Sequence, residues 1–135
     1  MRAPKWWPVA SEQRLGVLLE SGRHDRAHYA FVVATGAAAL GRRVVLFATN
    51  RGCHALTADW SGLEDSGRDV RVRNSGIAGL DELRSAAVEL QIRLIACEAG
   101  LRVEGLDPAR LLPGVEVAGV ATFLSEVGTG QIVTL

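Results

Sequence analysis

Apolar positions in this chain fall into short unbroken runs, separated by longer stretches with helical spacing. A run of about five apolar residues without alternation reads as a strand buried on both faces. RLGVLL at 14–19 and VVLFA at 44–48 are such runs, as are Ile92, Leu94, Ile95 and Ala96 leading into Cys97. Shorter runs at 115–117 and 131–135 complete the set. Between the first two strands, residues 25–40 place Ala27, Ala30, Phe31, Ala34, Ala37 and Ala38 on one broad face. They predict a long helix, with Asp25 or Ser21 as its cap and Gly41 as its stop. LDELRSAAVEL at 80–90 predicts a second helix, with Leu80, Leu83, Ala87 and Leu90 on its apolar face. The residues after Cys97 can start another. Asp107 and Pro108 form a cap and first-turn pair for a short helix, stopped by Pro113 and Gly114, and residues 119–127 predict the last.

Strands that alternate with helices make βαβ units, whose strands run parallel. The expected fold is therefore α/β: three layers, α/β/α, with a mostly parallel sheet of about five strands and flavodoxin-like layering. The length of 135 residues suits one domain, taken as 13–135, preceded by an extended arm at 1–12. Trp6 and Trp7 in the arm are expected to pack back on the domain or against a neighbouring subunit. TNRGCHAL at 49–56 reads as a turn at Gly52 and a short helix from about residue 53. Residues 58–79 are polar, only Val70 and Val72 hint at a strand, and the stretch reads as a mobile or functional loop.

Charge and composition narrow the function classes. Fifteen Lys and Arg balance fifteen Asp and Glu, which gives no bulk electrostatic case for nucleic acid or an anionic membrane as partner. No apolar run approaches transmembrane length, and the first residues have no apolar signal core. Two cysteines are too few for a disulfide framework, and a reducing cytoplasm is the simplest compartment. No metal is expected: His24 and His28 have helical ligand spacing, but no third ligand is near, and a capping or solvated role is favoured.

In parallel sheets, sites lie at the carboxyl ends of the strands. Ser21, Gly22, Cys53 and Cys97 all fall on that edge. Cys97 follows a buried strand and precedes a helix start, where unpaired N–H groups and the helix dipole favour a thiolate. It is the candidate nucleophile; the competing reading makes it a small buried apolar residue. Gly100 would allow close backbone approach. Glu98 would tune the thiol or complement the helix start, and its charge opposes thiolate formation. His28 could face the site edge as a proton donor or anion contact. Cys53 is either a resolving thiol or incidental, and His54 beside it could lower its pKa. Arg102 is a possible anion contact, though a solvated role is favoured.

Four stretches resemble the DsrE/DsrF-like family, most closely its peroxiredoxin-like DsrE branch. They are SGRHDRAHYAFVVATGAAALG, VVLFATNRGCHAL, GLDELRSAAVELQIRLIACEAG and LDPARLLPGVEVAGVATFL, and they span most of residues 14–127. The strand-Ala-Cys step and GVEVAGVATFL are the more specific parts. The resemblance implies a DsrE-like α/β/α domain and homo-oligomers, trimers or hexamers. It also implies a sulfur relay in which the cysteine matched by Cys97 carries a persulfide between donor and acceptor proteins, with no metal or organic cofactor. Two other readings stay open. One is an oligomeric module that binds a small anion or metabolite at the carboxyl edge while Cys97 only packs. The other is a thiol redox sensor using Cys53 and Cys97.

Overall fold

The computed structural model describes residues 13–135. The expected arm at 1–12, with Trp6 and Trp7, lies outside the described residues. Five strands form one sheet: β1 (Leu15–Leu19), β2 (Val44–Ala48), β3 (Arg93–Cys97), β4 (Glu116–Ala118) and β5 (Gln131–Thr134). Their order is β4-β3-β2-β1-β5, and every pairing is parallel. The chain thus builds outward from β1 to β4, then returns to the other side of β1 for β5.

That reversal divides the helices between the two faces. α1 (His24–Ala39) and α3 (Leu80–Glu89) pack together on one face. There Leu15, Val17, Leu19, Leu46, Ala96 and Phe31 share the main core. α1 lies close because its inner positions are mostly alanine, with Ala27, Ala30 and Ala34 fully buried. The opposite face packs α5 (Val120–Val127) over β1 and β2. Phe123 of α5 stacks on Phe47 of β2, ring centres 5.1 Å apart, within a smaller cluster that includes Val45, Ile95, Cys97 and Val127. α4 (Glu98–Glu104) follows β3 without an intervening loop.

Several local expectations are corrected. α1 begins at His24 behind Arg23, and neither Asp25 nor Ser21 caps it. Asp25 instead pairs with Arg23 at 2.8 Å, and the free N–H of His24 is satisfied by the carbonyl of Glu64. The turn at Gly52 is part of a 3₁₀ helix, Asn50–Ala55, that starts earlier than expected. A Cβ on Gly52 would lie 2.3 Å from the Leu19 carbonyl oxygen, so only glycine lets this segment seat on the end of β1. The polar stretch is ordered, and Val70 and Val72 are helical, in α2 (Arg68–Asn74). Its buried face consists of Asp69 and Val72.

His24 is neither a cap nor solvated. It is fully buried, with Nε2 2.8 Å from Asp69 Oδ1. Asp69 also accepts the N–H of Leu80 at 2.9 Å and Arg73 Nε at 3.2 Å. One carboxylate therefore joins the starts of α1 and α3 to α2. In α3 the expected apolar face carries a charge: Arg84 is buried, while Leu90 is largely exposed. Its guanidinium donates to the carbonyls of Ala55, Thr57 and Ala58, which clips the segment after the 3₁₀ helix to α3.

Candidate functional site

The carboxyl edge is assembled from the ends of β1, β2 and β3. Cys97 is the last residue of β3 and the N-cap of α4. Its extended backbone (φ −66°, ψ 121°) lets the sulfur turn back over the first turn of the helix, where Sγ accepts the N–H of Gly100 at 3.4 Å. Cys97 pairs in register with Ala118 of β4 and packs with Phe47, Ile95 and Phe123. Cys97 is nearly covered, 8% exposed.

Gly100 is a tight point of the edge. A Cβ there would sit 2.8 Å from the main-chain nitrogen of Asn50, 3.0 Å from Cys53 Sγ and 3.4 Å from Cys97 Cβ. The two cysteines therefore flank one glycine, although Cys97 belongs to the α5-side cluster and Cys53 to the main core. Both are free thiols. Cys53 is fully buried, and its sulfur lies 3.5 Å from the Ala48 carbonyl oxygen. Burial pushes its thiol up to about 12, and neighbouring Cys97 adds to the rise. A thiol held so firmly protonated is a poor attacking group. His54 does not counter this, because its Nε2 is engaged by Glu104 at 3.0 Å.

The remaining candidates divide. Ser21 and Gly22 stand at the end of β1, beside the point where strand order reverses. Ser21 Oγ accepts the N–H of Arg23, and a Cβ on Gly22 would meet that of Arg51 at 2.6 Å. The β1 turn and the 3₁₀ helix are thus in contact. Glu98 points outward and pairs with Arg102 at 2.9 Å, which balances its charge away from the sulfur. Arg102 is exposed and has no other partner among the described hydrogen bonds. His28 does not face the edge: it is buried, with Nε2 2.8 Å from the Ala78 carbonyl oxygen. No group of three or more potential metal ligands occurs among the described residues.

Sequence reasoning passed over Asn50, whose main-chain nitrogen lines the glycine contact. Asn50 has φ 49°, in the left-handed region. Asparagine tolerates that region better than most residues, and its place directly after a strand and Thr49 was the available signal.

The chemistry of this edge is that of one nearly covered thiol backed by a main-chain donor. Known proteins share the framework. The chain is 24% identical over 153 aligned residues to the sulfur carrier protein DsrE2 of Allochromatium vinosum, covering 90% of this chain and 96% of that one. It is 26% identical over 151 residues to the uncharacterized protein YrkE of Bacillus subtilis, covering 89% and 94%. Among solved structures, the ychN protein from E. coli superposes with a TM-score of 0.69 at 11% identity, covering 91% and 99%. MTH1491 from Methanobacterium thermoautotrophicum does so at 0.53 and 18%, covering 90% and 98%. At such identities the superpositions speak for the fold. The family model of the DsrE/DsrF/DrsH-like proteins matches residues 60–135, a span that contains β3, Cys97 and Gly100, and the chain belongs to that family.

Proposed function

We propose that this protein is a sulfur carrier that holds a persulfide on Cys97. One observation carries the reading: Cys97 ends a central strand at the carboxyl edge, and its sulfur accepts a main-chain N–H from Gly100. A donor of this kind stabilises negative charge on a thiolate or on a persulfide. Membership of the family, and a relative named as a sulfur carrier, support the same reading.

In loading, the Cys97 thiolate attacks the outer sulfur of a donor persulfide. An S–S bond forms at Cys97, and the donor leaves as a thiolate. In delivery, an acceptor thiolate attacks the outer sulfur and Cys97 leaves as the thiolate. The two steps are redox-neutral overall and consume no cofactor. Free thiols suit a reducing compartment such as the cytoplasm, and among the described residues no helix is long and apolar enough to cross a membrane. Self-association belongs to the same proposal. Val120 and Leu124 on the outer side of α5, and Ile132 of β5, are about half exposed and give an apolar surface for a second copy.

The test uses wild type, Cys97→Ser and Cys53→Ala, incubated with a low-molecular-weight persulfide and examined by intact mass. One extra sulfur on wild type and Cys53→Ala, absent from Cys97→Ser and removed by an acceptor thiol, is the expected result. The covered position of Cys97 favours one rival, a binding module in which the thiol only packs. No added sulfur on wild type would establish that rival. Light scattering at micromolar concentration checks self-association, against which a monomeric mass would count.

A further inference from the structure

A second feature lies at the opposite edge of the sheet. A cavity of about 490 Å³ opens at the amino ends of the central strands. Arg14 precedes β1, Arg42 and Arg43 precede β2, and Arg93 opens β3; all four arginines line the cavity, with Glu126 as its one acidic lining residue.

The partners of these arginines show an unmatched charge. Arg93 is satisfied by carboxylates, reaching Glu116 at 2.8 Å and Glu126 at 2.9 Å. Among the described residues, the other three make no hydrogen bond to a carboxylate. Arg14 Nη1 donates to the Glu126 main-chain oxygen at 3.0 Å. Arg42 donates to the main-chain oxygens of Gln13 and Arg14 and to Gln131 Oε1. Arg43 is 59% exposed, and its nearest carboxylate oxygen, on Glu126, is 3.6 Å away. The neutral acceptors fix the positions of Arg14 and Arg42 without cancelling their charge, so the site is preorganised. Helices α1, α3 and α5 also end at this edge, and the negative ends of their dipoles offset part of the charge. Each dipole end amounts to only about half a charge, against four guanidiniums that share two carboxylates, Glu116 and Glu126.

We propose that this cavity binds a small polyanion with clustered phosphate or carboxylate oxygens. The site is separate from the thiol edge and stands whether or not Cys97 carries sulfur. Arg43 is the exposed contact, Arg14 and Arg42 are the fixed wall, and Glu126 touches Arg14 and Arg43. Guanidiniums suit this ligand class because each offers a planar pair of N–H donors to two oxygens at once.

Calorimetric titration of the full chain with inorganic pyrophosphate, and separately with citrate, tests the proposal and distinguishes phosphate from carboxylate recognition. At least one should bind saturably, more weakly as ionic strength rises. In the same titrations the Nε–H resonances of Arg14 and Arg43 should shift. Arg43→Gln should weaken binding by about tenfold or more, the loss expected for a charge-assisted hydrogen bond. Arg14→Gln should do likewise, and thermal unfolding checks that both variants fold. Arg102→Gln, on α4 beyond the other edge, should bind like wild type. Absence of saturable binding for both anions, or undiminished binding by Arg43→Gln, overturns the site.

Discussion

Gly100 donates its N–H to the sulfur of Cys97 and, on its other side, leaves no room for a side chain beside Cys53. In Gly100→Ala the new methyl would meet the Asn50 nitrogen at 2.8 Å and Cys53 Sγ at 3.0 Å. Alanine improves helix propensity by about 1 kcal/mol, but overpacking a rigid contact costs about 1–3 kcal/mol. The expected outcome is a net loss of stability in urea unfolding and slower alkylation of Cys97, since the first turn of α4, which carries its donor, must shift. A midpoint equal to or above wild type would contradict this.

The pair of His24 and Asp69 makes a prediction about acid. Burial acts to raise the Asp69 pKa, but the N–H of Leu80, the bond to His24 and the charge of Arg73 outweigh it and hold the carboxyl below the usual range. A carboxyl with a depressed folded-state pKa contributes stability above its unfolded value, about 3.9, and loses it as pH falls through the folded value. Asp69→Asn should therefore destabilise the protein at neutral pH by roughly 2–4 kcal/mol, because it leaves His24 buried without its charged partner. The difference from wild type should shrink below about pH 4. Equilibrium unfolding at several pH values measures it, and a pH-independent difference would remove Asp69 ionisation as the cause.

Cys53 predicts the opposite end of the pH scale. Its thiol is raised in the folded state to about 12 from an ordinary 9.0. The unfolded chain therefore loses this proton first, and the contribution to stability is intact below about pH 9 and declines as pH climbs towards the folded value. Cys53→Ala should flatten that decline. In wild type, iodoacetamide should label Cys97 first and Cys53 only on unfolding. Early labelling of Cys53, or a rapid reversible Cys53–Cys97 disulfide under mild oxidant, would restore the redox-sensor reading.

Arg84 holds three carbonyls with one planar head, its bond to Thr57 being the shortest at 2.6 Å. Lysine cannot reproduce that fork, so Arg84→Lys should cost about 1–3 kcal/mol. It should also speed amide exchange in residues 55–63 relative to β2. Uniform exchange across both would show that the clip is not local.

The parts of this molecule that could be read in advance are those whose burial depends on neighbours close in sequence. β2 is apolar on both faces because helices cover it on both sides, and its run VVLFA says so directly. The place of Cys97 at a strand end was legible because the run Ile92, Leu94, Ile95 and Ala96 fixes where β3 stops. α2 was not. It is held by His24 meeting Asp69 from a distant segment, and two polar residues with no local pattern carry no periodic signal. His28 was misplaced for a related reason, since its partner is a loop carbonyl at Ala78. The covering of Cys97 also escaped, because it depends on where α5 crosses the far face.

The strand order has a consequence for synthesis. Of the five strands β1 is made before the others, yet one of its two neighbours in the sheet is β5, made after them. Pairing between distant segments is slow to form because the intervening chain must be gathered first. While β1 waits, its open side and the inner face under α5 remain uncovered, so a nascent chain carries a sticky edge until the final strand docks. Arg42 also meets Gln131 only at that moment. The arginine cavity is thus completed last, after the segment bearing Cys97 has already been made.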